Sequence, residues 1–194
     1  MFKKYIVEAL GTFALALTVG LSVAGVFAVP TPVLAGLVLG LFVYTVGHIS
    51  GTHINPAVTI GAWSIGKITG KDALGYIVSQ FVGGGLAMWI LSMTTVMPAL
   101  TVSGDWMTGF AELLGTFFFT FGIASVVYGK TPSVMSGAVI GGSLLLGITI
   151  SALLGANGVL NPAVALGIGS FGIMYILGPV VGSVLGMQAY KKLQ

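Results

Sequence analysis

Two copies of Asn-Pro-Ala-Val, at Asn55–Val58 and Asn161–Val164, sit inside a chain of 194 residues. Asparagine caps a helix through its side-chain oxygen, and proline suits the first helical position, where its missing N–H costs nothing. Each copy therefore marks a helix start. Their surroundings make that restrictive. The chain is 56% hydrophobic and 6% charged, against roughly 25% charged in soluble domains. This is the composition of an integral membrane protein. Backbone that leaves the helix at membrane depth is tolerated only where it is buried in protein or lines a wet cavity. Any fold of this chain must therefore house two helices that begin inside the bilayer, one in each half.

A span needs about 20 apolar residues. Six such stretches can be read: Tyr5–Ala28, Val33–Ile49, Ala73–Val96, Met107–Tyr128, Val134–Leu154 and Phe171–Tyr190. Val29-Pro30-Thr31-Pro32 reads as a tight loop and Lys67–Asp72 as a polar one. Each Asn-Pro-Ala-Val opens a further piece, ending near Gly66 and Gly169, that is too short to cross and suits a half-helix. Met1-Phe2-Lys3-Lys4 ahead of an apolar run mimics a signal peptide. The run that follows is too long for one and holds Glu8, so it reads as a first span.

The lysines test the count. With six spans, Lys3, Lys4, Lys67, Lys71, Lys130, Lys191 and Lys192 all fall on the face that carries both termini. By the positive-inside rule that face is cytoplasmic, and the expected location is the cell membrane.

The halves repeat. Glu8-x-x-Gly11-Thr12-Phe13 matches Glu112-x-x-Gly115-Thr116-Phe117 at an offset of 104 residues, and Asn55 matches Asn161 at 106. Tyr76, Ile77 and Gly83 match Tyr175, Ile176 and Gly182 at 99. The repeats read as residues 1–98 and 106–194 of a single channel domain. Each contains three spans, an odd number, so the second is inverted. Inverted repeats with broken helices place a pathway near the midplane. Glycines at spacing four, such as Gly36 and Gly40 or Gly137 and Gly141, let membrane helices approach closely.

Inversion brings the two short helices in from opposite faces with their N-termini meeting. Each N-terminus carries roughly half a positive charge, so a cation there is repelled by both. Asn55 and Asn161 cap their helices through oxygen and leave their NH2 groups as donors to a neutral molecule. Pro56, Ala57, Pro162 and Ala163 begin the helices. Gly51, Thr52, His53, Asn157 and Val159 precede them, read here as extended chain with backbone carbonyls forming an acceptor ladder.

The stretch Gly47–Gly61, the second Asn-Pro-Ala, the paired Glu-x-x-Gly-Thr-Phe segments, and Gln80 with Pro179 together resemble the aquaporin, or major intrinsic protein, family. The resemblance covers nearly the whole chain. It implies an all-α bundle of six transmembrane helices and two re-entrant half-helices, one pore per subunit, a homotetramer in the lipid bilayer, and passage of water and small neutral solutes.

Glu8 and Glu112 are the acids inside spans, and their equivalence in the repeats points to anchoring the re-entrant N–H groups rather than relaying protons. His48 reads as a loop brace; His53 resembles the family's pore wall on the cytoplasmic side. Water-selective members of the family carry Arg after the second Asn-Pro-Ala. This chain has Val164 there, and no arginine anywhere. The outer filter then comprises Ala35, Gly158, Val164 and Thr149, or Ile150 if the loop carries a gap. Phe42 or Phe110 would be the bulky neighbours to refill it. Such a filter is permissive for the glycerol, urea or ammonia class. Two alternatives stay open: a pore of relaxed selectivity that leaks ions or ammonia, and a structural membrane protein that conducts poorly.

The chain has no cysteine, so disulfides and thiolate metal sites are excluded. Two histidines without a nearby carboxylate fall short of a metal site. Gly83-Gly84-Gly85 lies mid-span and reads as packing, not phosphate binding. Neither an enzyme, a cofactor nor a nucleic-acid partner is expected.

Overall fold

The computed structural model describes residues 2–25, 28–94 and 100–194. The expected end of the third span at Val96, its break at Pro98, the boundary of the first repeat at 98, and Val26 and Phe27 of the expected first span lie outside them. The described elements are α1 (Lys3–Ala24), α2 (Thr31–Ser50), α3 (Pro56–Ser64), α4 (Gly70–Ser92), α5 (Trp106–Val127), a 3-10 turn (Ser133–Met135), α6 (Ser136–Leu153), α7 (Pro162–Gly167) and α8 (Met174–Lys192). Six helices are long and two are short, in the order expected. The first five long ones are apolar enough to cross a membrane. In α8 that character is diluted by Pro179, Gln188 and two terminal lysines.

Boundaries moved where polar residues cap rather than interrupt. The expected loop Val29–Pro32 ends earlier than read: Pro30 is the N-cap of α2, and Thr31 and Pro32 lie in its first turn. Asp72 is not loop either. Thr69 caps α4 by accepting the Asp72 N–H, which draws Gly70–Asp72 into the helix. Asp105 caps α5 in the same way through the Thr108 N–H at 2.8 Å.

The repeat governs the packing. α1 packs against α4 as α5 does against α8, and each half-helix docks on the last long helix of the other repeat, α3 on α8 and α7 on α4. The two halves meet along α2 and α6, where a Cβ at Gly36 would stand 2.6 Å from the Gly141 carbonyl oxygen. Only glycine permits that approach. The outward surface is apolar, and the interior carries buried polar groups within an apolar core. Leu37, Leu74, Trp89 and Leu153 face outward, while Glu8, Gln80, Glu112 and Thr116 are fully buried. Apolar surface facing lipid and internally satisfied polar groups are what a bilayer demands.

Candidate functional site: two half-helices and the cavities beside them

The α3 and α7 N-termini meet as the inverted repeat requires. Asn55 Oδ1 accepts the Ala57 N–H at 2.8 Å, and Asn161 Oδ1 accepts those of Ala163 at 3.1 Å and Val164 at 3.2 Å. Their amide nitrogens are not wholly free, however. Asn55 Nδ2 donates to the Leu160 carbonyl and Asn161 Nδ2 to that of Ile54, both at 2.9 Å. Each asparagine thereby ties one loop to the other with one N–H. The second N–H of each has no protein partner among the described residues, and both side chains line the cavity beside them.

The loops that deliver these asparagines are not extended, contrary to the reading above. Gly51, Thr52 and Ile54 have φ of +84°, +51° and +39°; Gly158 and Leu160 have +66° and +55°. Left-handed turns in alternation re-aim the backbone, and at a residue such as Ile54 they cost roughly 1–3 kcal/mol. Glycine is required at 158 on two counts, its positive φ and a carbonyl of Ile148 that would lie 2.8 Å from any Cβ.

Two buried carboxylates hold the loops in this shape. Glu8 Oε1 accepts the His53 N–H at 2.9 Å and the Ser50 hydroxyl at 2.7 Å; Oε2 accepts the Ile54 N–H at 2.6 Å and Gln80 Nε2 at 2.7 Å. Glu112 accepts the Val159 N–H at 3.0 Å, the Leu160 N–H at 2.7 Å and the Ser151 hydroxyl at 3.1 Å. The spent donors are those a left-handed loop cannot pair with itself. Gln80 also donates to Thr59 Oγ1 at 2.9 Å. The serines at 50 and 151 escaped the sequence reading because their offset of 101 breaks step with the motifs.

Two cavities flank the asparagines. One of about 250 Å³ runs from Thr31, Pro32 and Leu100 past Ala35, Gly158 and Val164 to Asn55, Asn161 and His53. The other, about 840 Å³, opens among Lys67, Asp72 and Ser133 on the face carrying the termini. Gly51 and Thr52 line the second cavity, Asn157 and Val159 the first. Asn157 is also a brace, its Nδ2 donating to Ser170 Oγ at 2.7 Å and the Thr101 carbonyl at 3.1 Å.

Three expected positions are displaced. Thr149 is not on the cavity, and neither is Ile150; Ile148 is, one residue earlier. The Thr149 hydroxyl is turned back on its own helix, to the Leu145 carbonyl at 2.8 Å. The count back from Asn161 assumed an ungapped loop, and the cavity position falls one residue further back than that count reaches. His48 braces nothing among the described residues; it is exposed at the rim of the larger cavity. Phe42 and Phe110 do not refill the far end. The aromatic side chain on the cavity is Phe119, buried at 1% exposure. Nothing in the run Phe117-Phe118-Phe119 singled it out, since only helix rotation decides which of three phenylalanines faces inward.

The family model of the Major intrinsic protein family matches residues 1–190. Over 184 residues the chain is 33% identical to Aquaporin AqpM of Methanothermobacter thermautotrophicus, covering 81% of this chain and 74% of that one. It is 31% identical to Aquaporin Z of Photorhabdus laumondii, across 100% of this chain and 98% of the relative. It is 34% identical to Nodulin-26 of Glycine max, across 97% and 77%. In fold it is similar to the X-ray structure of the aquaglyceroporin from Plasmodium falciparum, with a TM-score of 0.72, 24% identity, and coverage of 98% and 95%. Opposed half-helices in an inverted six-helix bundle, matched from end to end in sequence, make this chain a multi-pass membrane protein of the major intrinsic protein family, whose members are channels for water and small solutes and not enzymes.

Proposed function

We propose that residues 1–194 form one passive pore for water and small neutral solutes of the glycerol, urea or ammonia class, centred on Asn55 and Asn161. The observation that carries this is the pair of second Nδ2 N–H groups, unpartnered among the described residues and set at two opposed helix N-termini beside a cavity. Two fixed donors hold the oxygen of a passing molecule, and the two positive helix ends repel a cation at the same point. In this reading Pro56, Ala57, Pro162 and Ala163 start the half-helices and Glu8 and Glu112 hold the loops in register. Ala35, Ile148, Gly158 and Val164 form the far-side ring. The subunit assembles as a homotetramer in the cell membrane, its lysine-bearing face cytoplasmic.

Osmotic shrinkage of reconstituted vesicles, followed by light scattering, tests it. Water flux should clearly exceed that of protein-free vesicles. Asn161→Leu should lower it about tenfold, the equivalent of one lost donor at about 1.4 kcal/mol. Flux no greater than in empty vesicles would overturn the channel reading. Fast water with no glycerol or urea flux would overturn its permissive part.

A second reading has its own observation. The far-side ring holds no charge, because Val164 stands where the family resemblance places arginine. A pore leaking ions or ammonia would follow, and current across a planar bilayer under a salt gradient would identify it.

A further inference from the structure

We infer that the selectivity step of this pore lies at a ring of Leu39, His53 and Phe119, on the terminus-bearing side of the asparagines, and not at the far-side ring around Val164; the inference rests on the channel reading above. The two cavities decide the position. The smaller one is lined by Ala35, Gly158 and Val164 and also by His53. The two cavities meet at Leu39, His53 and Phe119, which line both; among the described residues no other does. Three large side chains therefore stand where one cavity gives way to the other.

The inverted repeat explains why one side closes and the other does not. Phe119 corresponds to Leu15 at the offset of 104, and His53 to Val159 at 106. Leu15 and Val159 line the smaller cavity without dividing it. Two substitutions within one symmetric frame, phenylalanine for leucine and histidine for valine, add bulk on one side of the midplane alone. The far-side ring has lost bulk in its turn, with Ala35, Gly158 and Val164 at its wall.

The chemistry of the ring is also defined. Thr59 Oγ1 donates its one proton to the Asn55 carbonyl at 3.0 Å. The contact of 3.1 Å from His53 Nδ1 to Thr59 Oγ1 must then be an N–H donated by histidine. Nε2 is left as the bare acceptor. An edge-on contact with Tyr76, ring centroids 5.2 Å apart, fixes the ring's attitude. A molecule leaving the Asn55 and Asn161 donors thus meets one acceptor between two apolar walls. Water and ammonia, each a single heavy atom, can give one hydrogen to Nε2 and turn the rest to the molecules before and behind them. Glycerol would have to strip hydroxyls against Leu39 and Phe119, each unpaired polar group costing about 1–3 kcal/mol.

The test compares glycerol and water permeability in the same vesicles. Phe119→Leu, which copies the repeat partner, should raise the glycerol-to-water ratio about tenfold, the low end of what a small change of pocket volume commands. Phe119→Trp should lower it. If Phe119→Leu fails to assemble, Leu39→Ala widens the same ring and carries the same expectation. A ratio unmoved by widening this ring, or moved more by Val164→Ala, would overturn the inference while leaving the channel standing. A wild type without water flux would remove the channel reading itself, and this inference with it.

Discussion

The two re-entrant loops do the same mechanical job with different chemistry around them. Besides backbone N–H groups of its loop, Glu8 gathers two side-chain donors, Ser50 and Gln80; Glu112 gathers one, Ser151. The missing side-chain donor lies on α8, where Pro179 occupies the position of Gln80 at the offset of 99. Two other positions differ in the same sense. His53 faces Val159 across the repeat, and Thr59 faces Ala165. So His53, Thr59 and Gln80 make a connected polar cluster beside the first loop, while the corresponding positions of the second repeat, Val159, Ala165 and Pro179, are apolar. What the repeats share is what holds backbone in place. What they do not share lies at the conduit, where the proposed ring closes on one side only.

The largest effect should come from the anchors. Glu112→Leu strands two buried N–H groups at about 1–3 kcal/mol each, so a loss of roughly 2–6 kcal/mol in unfolding free energy is expected. Glu8→Leu strands the same number of N–H groups and two side-chain donors besides, Gln80 and Ser50, against Ser151 alone for Glu112, and should be the more damaging. Thermal unfolding in detergent measures both. Equal losses would mean that the extra donors on the first loop carry no energy, and the comparison would collapse to simple symmetry.

Thr59→Val comes next. It takes an acceptor from Gln80 Nε2 and from His53 Nδ1, at a cost of about 1–3 kcal/mol. With Nδ1 released, the histidine tautomer is no longer dictated. The glycerol-to-water ratio should change along with the melting temperature. A melting shift without a change in the ratio would place Thr59 in the scaffold alone.

The smallest effect distinguishes the two serines. Ser151→Ala removes one hydrogen bond, worth about 0.5–1.5 kcal/mol. Ser50→Ala removes that bond and also strands the Thr52 N–H, which donates to Ser50 Oγ at 3.0 Å, and should cost more. Melting curves of the two variants decide it, and a larger loss for Ser151→Ala would contradict the ordering.

Much of the fold could be read before any coordinates. The count of six spans, the two half-helices and the inversion followed from apolar run lengths, the doubled Asn-Pro-Ala-Val and an odd number of spans per repeat. The anchoring glutamates were legible because a carboxylate inside a span must find donors, and two at matching positions share a task. Less could be read at the cavity. The expectation of Thr149 rested on counting back from Asn161 through the loop after α6 as if it held no gap, and loop length is the feature that local sequence constrains least. The expectation that both Asn amides were free ignored a partner 105 residues away. The left-handed stretches at Thr52, Ile54 and Leu160 run against residue preference, so no local rule would have placed them.

Sequence alone determined the solvent this chain requires, where its helices begin, and that one half inverts the other. Those properties depend on composition and on residues near one another along the chain. Tertiary structure decided which side chains meet across the midplane, that each asparagine spends one N–H on the opposite loop, and that Leu39, His53 and Phe119 line both cavities. Such features are set by the rotation and separation of helices distant in sequence. A glycine contact such as Gly36 against Gly141 fixes that separation only once both helices are in place.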